Sequence, residues 1–104
     1  MSSSEQAENK KADADAVGPV LRKSQLGEVV LAAIRALNPD TKVIDRGAYL
    51  RVLVPRRCVV TRQAIEQRLE RPFRLPGELE ALMPSFKGVL SIDEERAAWE
   101  LHDR

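Results

Sequence analysis

The 104-residue chain has one cysteine and one histidine. A single cysteine rules out an internal disulfide and a cysteine-rich zinc site. His102 stands near the C-terminus, so neither a histidine-based triad nor a histidine-rich metal site can be built from the body of the chain. Aromatic residues are scarce: Trp99, Tyr49, Phe73 and Phe86. No apolar run approaches the roughly 20 residues that span a bilayer, and Met1-Ser2-Ser3-Ser4-Glu5 leads into no apolar segment of the kind a secretory signal uses. Gly18, Gly27, Gly47, Gly77 and Gly88 stand singly, without a phosphate-cradling loop. Asp93, Glu94 and Glu95 are adjacent in a turn, which points them apart and makes no metal cage. These shortages speak against a self-sufficient enzyme and for a cofactor-free cytoplasmic binding or accessory protein.

What is present is ordinary for a soluble domain, with 43% apolar and 32% charged residues. The formal net charge of +1 hides an asymmetry. Residues 1–16 carry −2, residues 17–45 +1, residues 46–74 +6 and residues 75–104 −4. The middle segment holds eight arginines, at 46, 51, 56, 57, 62, 68, 71 and 74, against Glu66 and Glu70. Such a distribution bears on partners and not on fold.

Residues 1–16 contain too little apolar surface to offset the entropy of ordering them and read as a disordered tail. Residues 17–104 then form one domain. Val17 to Leu21 predicts a short strand that Pro19 confines to an edge or a start. Ser24 caps a helix over 25–37, with Leu26, Val29, Val30, Ala33, Ile34 and Leu37 as its buried stripe. Asn38-Pro39 ends it. Thr41 to Asp45 and Tyr49 to Val54 predict strands turning at Gly47, and Cys58 to Val60 a brief further strand. Thr61 caps a helix over 62–70, and a helical turn follows at Glu78 to Leu82. Phe86 to Ile92 predicts one strand with Phe86, Leu90 and Ile92 on one face, and Arg96 to Leu101 another. The order β-α-β-β-(β)-α-(α)-β-β is α+β: a mostly antiparallel sheet with two main helices and a short third.

Cys58 sits in an apolar run and reads as a small core residue. His102 reads as a solvated surface group. The arginine set raises a basic protein- or RNA-binding module as an alternative function. The aromatic pair of a common RNA-binding sheet is missing, which argues against a nucleic-acid partner. On the first helix, Gly27, Leu31 and Ala32 lie off the expected stripe and predict a smooth outer face fit for close approach to another surface.

Several motifs occur in a telling order. Val17-Gly18-Pro19-Val20, a helix ending in Asn38-Pro39, and Asp45-Arg46-Gly47-Ala48-Tyr49-Leu50-Arg51 are followed by Thr61-Arg62, Ile65-Glu66, Leu69, Arg71-Pro72-Phe73, Glu78-Leu79-Glu80, Pro84-Ser85-Phe86 and Gly88. This series resembles the effector proteins of bacterial multicomponent diiron monooxygenases, most of all the toluene monooxygenase type. It is more distantly similar to the phenol hydroxylase and methane monooxygenase regulatory proteins. The resemblance covers about residues 17–101.

It implies a small α+β effector that carries no cofactor and no catalytic residue. Such a protein is a monomer when free and has no membrane or nucleic-acid partner. It docks on a diiron hydroxylase, competes there with a Rieske ferredoxin, and couples oxygen activation and electron transfer to hydroxylation of an aromatic substrate. The resemblance points to Asn38 and Arg71 as contact residues, and beside them to Gly18, Pro19, Arg46 and Tyr49. Asn38 has an alternative role as a helix C-cap. Arg71 has one as the partner of Glu66 or Glu70.

Overall fold

Two antiparallel sheets and three helices enclose one apolar core in the computed structural model, which describes residues 14–102. In chain order the elements are β1 (Ala16–Arg22), α1 (Gln25–Leu37), β2 (Lys42–Asp45), β3 (Tyr49–Pro55), β4 (Arg57–Thr61), α2 (Arg62–Leu69), α3 (Gly77–Leu82), β5 (Ser85–Lys87), β6 (Val89–Ile92) and β7 (Arg96–Glu100). The first sheet runs β2-β3-β1-β5 and the second β4-β7-β6. The expected α+β class with three helices is therefore the observed one. Residues 1–13 of the expected tail lie outside the described residues, and Ala16 already belongs to β1, buried and paired with Pro55.

Local chemistry sets the helix boundaries. Ser24 Oγ accepts from the Gly27 amide at 3.0 Å and Thr61 Oγ1 from the Ala64 amide at 3.1 Å, which satisfies one orphan donor at each helix start. α1 stops at Asn38, before Pro39. α2 stops at Glu70, which takes the left-handed conformation (φ 62°).

The stretch expected as a single strand over 86–92 is two strands in different sheets. β5 pairs with β1, and β6 pairs with β7. The break falls at Gly88, whose φ is +108°. A Cβ there would stand 2.8 Å from Val17 Cγ1 and 2.9 Å from the Glu100 carbonyl oxygen, so only glycine permits the crossing. Phe86 consequently parts company with Leu90 and Ile92: it is 45% exposed while they pack against the core.

The core joins Val17, Leu21, Leu50, Val52 and Val54 of the first sheet to Cys58, Val60, Ala97 and Trp99 of the second. The helices add Val30, Leu31, Ala33, Ile34, Ile65 and Leu79, with Phe73 from the α2–α3 connection. Truncating any one of the larger of these to alanine costs about 2–5 kcal/mol.

The buried stripe of α1 is rotated from the expected one. Leu31 is 7% exposed and belongs to the core, whereas Leu37, in the last turn, is 41% exposed. Gly27 is buried too, with the site of its missing Cβ 2.1 Å from the Arg22 carbonyl oxygen. Gly27, Leu31 and Ile34, spaced i, i+4 and i+7, share one inward face. The expected outer face of Gly27, Leu31 and Ala32 therefore keeps only Ala32 at the surface.

Candidate functional site

The strands of the first sheet alternate between the core and the face turned away from it. Along β3, Leu50, Val52 and Val54 enter the core, and Tyr49, Arg51 and Leu53 take the other side. Along β1, Val17 and Leu21 enter the core, and Gly18 and Val20 take the other side. No helix of the described chain covers this outer face at its middle. It forms a shallow concavity of about 350 Å³.

Three elements line that concavity. β1 supplies Gly18 and Val20, and the β2–β3 hairpin supplies Arg46, Tyr49, Arg51 and Leu53. β5 supplies Ser85, Phe86 and Lys87. Leu53 is 1% exposed without belonging to the main core, and it forms an apolar floor. Gly18 is there for backbone reasons. Its φ is +147°, and a Cβ would lie 2.3 Å from the Val52 carbonyl oxygen. Pro19 beside it is buried and opposes Phe86 across the β1–β5 pair.

The hairpin that presents Arg46 and Tyr49 is tied at its base. The Arg46 amide donates to the Tyr49 carbonyl at 2.8 Å and the Gly47 amide to Asp45 Oδ1 at 2.8 Å. Lys23 Nζ meets Asp45 Oδ2 at 2.6 Å. The Lys23 ammonium first, and then the Gly47 amide, hold the Asp45 carboxyl below its ordinary value. The same pair raises the pKa of Lys23.

Of the nine residues expected at a docking surface, this concavity unites Gly18, Arg46 and Tyr49. Asn38 has another occupation. Its Nδ2 donates to the carbonyls of Ile34 and Val59, both at 2.7 Å, and its Oδ1 accepts from the Val59 amide at 3.1 Å. The side chain is spent inside the molecule, buried, joining the end of α1 to β4. Arg71 is exposed, as expected, and its ion pair is with Glu78 at 3.3 Å, not with Glu66 or Glu70. Its Nη1 also donates to the Pro72 carbonyl at 2.8 Å.

The eight arginines do not make one face. Arg57 pairs with Glu100, and Arg62 bridges Glu66 and Glu95. Burial pushes the Cys58 thiol up to about 12, as suits a core residue, and His102 is exposed. Among the described residues no group of three or more histidine, cysteine, aspartate or glutamate side chains could hold a metal ion.

Arg51, Leu53, Phe86 and Lys87 were not expected at a site. For the first two the signal was available: alternation through Tyr49 to Val54 puts positions 49, 51 and 53 on one side. For Phe86 and Lys87 it was hidden by the strand break at Gly88.

The MmoB/DmpM family model matches residues 15–100. The effector subunit of the alkene monooxygenase system of Xanthobacter autotrophicus (strain ATCC BAA-1158 / Py2) is 43% identical over 89 residues, covering 84% of this chain and 87% of that protein. Two solved chains from structures of a phenol hydroxylase–regulatory protein complex share the fold. One has a TM-score of 0.75 over 84% of this chain and 98% of that chain, and the other 0.72 over 82% and 98%. Both are 21% identical to this chain.

Proposed function

The chain belongs to the MmoB/DmpM family and is a non-catalytic effector subunit of a multicomponent monooxygenase, and from that premise we propose that its partner is the diiron hydroxylase of its own system. The observation that carries this is the 43% identity with an effector subunit across 84% of the chain. The naming of a regulatory protein in complex with phenol hydroxylase among the structures of this fold supports a hydroxylase partner.

The chemistry belongs to the hydroxylase. The effector acts by differential binding: it prefers one conformation of the hydroxylase and populates it, and by linkage that conformation holds the effector more tightly. In this way oxygen activation and electron delivery are tied to hydroxylation. A Rieske ferredoxin competes for the same hydroxylase surface. The free effector is a cytoplasmic monomer. The hydrocarbon, aromatic on the sequence resemblance and an alkene in the name of the relative, is selected by the hydroxylase pocket.

Among the nine candidate residues, Arg46 and Tyr49 present side chains to a partner, and Gly18 and Pro19 shape the sheet beneath; Arg71 stands apart from them, beside Gln25, Leu26 and Val29 of α1. Gly27, Leu31 and Asn38 act through the fold. Ala32 alone leaves the helix face without an anchor.

The test is reconstitution. Hydroxylase, ferredoxin and reductase are assayed with and without the chain, measuring product formed per electron consumed. The expected result is a saturable rise that reaches its plateau at one chain per hydroxylase active site. No change in rate or coupling at any concentration contradicts the proposal.

A further inference from the structure

Tyr49 and Phe86 are among the few large apolar residues exposed in the described chain, at 37% and 45%. They come from different sheet strands and both line the concavity of the first sheet. The same concavity has an apolar floor, Leu53 of β3 and Val20 of β1, the strand between β3 and β5. Three cations surround it, Arg46, Arg51 and Lys87, and no carboxylate belongs to the lining.

Arg51 is the most informative of these. It stands in the middle of β3, flanked across the sheet by Val20 of β1 and Ile44 of β2. It is half-buried and lines the concavity, a setting in which an arginine rests its aliphatic stem on apolar neighbours and keeps its guanidinium in water. Among the described residues it has no ion-pair partner, unlike Arg57, Arg62 and Arg71. A half-buried arginine held by its stem has lost part of its conformational freedom before any partner arrives. Arginine and exposed aromatics around a desolvated apolar centre are the composition of interface hot spots.

Other surfaces lack this combination. The larger concavity, about 720 Å³ between α2 and the turn through residues 72–78, carries Arg62, Glu66 and Glu95. Those charges already pair with one another. The exposed side of α1 has Ala32 and Ala36 but no exposed aromatic, and the core lies between it and the outer sheet face.

We propose that the outer face of the first sheet is the surface that seats on the hydroxylase, and that the matching hydroxylase surface is an apolar ridge flanked by carboxylates. This rests on the hydroxylase being the partner. The ridge fills the concavity over Val20 and Leu53, with Tyr49 and Phe86 at its rim, and the carboxylates meet Arg46 and Arg51. The single sign of the face makes association fall with rising salt.

The experiment titrates the reconstituted monooxygenase with wild-type chain, Arg51→Glu, Arg51→Lys, Phe86→Ala and Ala32→Glu, each checked by a thermal melt. Arg51→Glu raises the half-saturating concentration at least tenfold, Phe86→Ala raises it severalfold, and Arg51→Lys stays between Arg51→Glu and wild type. Ala32→Glu matches wild type. Folded Arg51→Glu and Phe86→Ala proteins that both saturate at wild-type concentrations overturn the proposal, as does a defect confined to Ala32→Glu. Wild-type self-association abolished by Arg51→Glu in sedimentation also overturns it, by giving the face to a second copy. A wild-type chain that fails to stimulate the hydroxylase at all strikes the partner assignment instead.

Discussion

Asn38 and Val59 hold each other at two points: Asn38 Nδ2 donates to the Val59 carbonyl at 2.7 Å, and the Val59 amide donates to Asn38 Oδ1 at 3.1 Å. Residues 21 apart in sequence thereby fix the end of α1 against β4. Since Asn38 is buried at 6% exposure, its amide replaces water that cannot reach these backbone groups.

Asn38→Ala leaves the Val59 amide and carbonyl without this partner, at a cost of about 2 kcal/mol or more. For a domain of this size that lowers the melting temperature by roughly 10 °C. At a temperature where the variant is folded, its half-saturating concentration for the hydroxylase stays near that of wild type. An unshifted melt combined with weak hydroxylase binding would return Asn38 to the docking surface.

Gly18→Ala forces a side chain into a backbone with φ +147° and a Cβ 2.3 Å from the Val52 carbonyl oxygen. Backbone strain alone is of order 1–3 kcal/mol, and the clash adds to it. The expected outcome is a melting temperature lower by about 10 °C or more, or failure to accumulate as folded protein. A melt unchanged from wild type would mean that β1 and β3 do not approach this closely.

Why some of this was legible in the sequence and some was not follows from the range of the interactions. Ser24, Thr61 and Asn38-Pro39 act within one helical turn: α1 starts and stops where Ser24 and Asn38-Pro39 place it, and α2 starts where Thr61 places it. Alternation marked the strands. The break at Gly88 depends on Val17 and the Glu100 carbonyl, which lie far off in sequence, and no local pattern reports them. The inward turn of Leu31 has the same origin. Several positions of α1 were apolar or small, and only packing chose which of them entered the core. The site follows the same rule: Arg46 and Tyr49 share a hairpin and a motif, whereas Phe86 and Lys87 join them only through the β1–β5 pairing.

The Cys58 thiol, buried at 0% exposure, has its pKa raised to about 12 from an ordinary 9.0. A raised value in the folded state keeps the thiol neutral there while the unfolded chain ionises. This stabilising contribution is fully present below pH 9 and is lost as pH climbs from 9 toward 12. Native protein at pH 8 should not react with a disulfide-exchange reagent, and Cys58→Ala should flatten the alkaline limb of stability. Prompt reaction of the native thiol would contradict its burial.

Acid acts through Glu66 and Asp93, together with Asp45 of the hairpin. Glu66 Oε2 accepts from the Phe73 amide at 2.9 Å, and Arg62 Nη1 donates to the same carboxylate at 3.2 Å. The amide first, and then Arg62, hold the Glu66 carboxyl below its ordinary value. Asp93 is lowered by the Glu95 amide and then the Arg96 amide. A depressed value means stability that is present above the ordinary carboxylate range and lost as pH falls through it. The melting temperature should hold from neutrality to about pH 5 and decline below. The decline should be shallower in the double variant Glu66→Gln, Asp93→Asn. An equal slope in both proteins would assign acid sensitivity to other groups.

Hydrogen exchange of this chain with and without saturating hydroxylase tests the docking account most directly. Slowed exchange is expected in residues 44–51 and 85–87, the strands and hairpin that carry Arg46, Tyr49, Arg51 and Phe86, with α1 unchanged. Protection confined to α1, or no protection at concentrations where stimulation of the hydroxylase is complete, would contradict it.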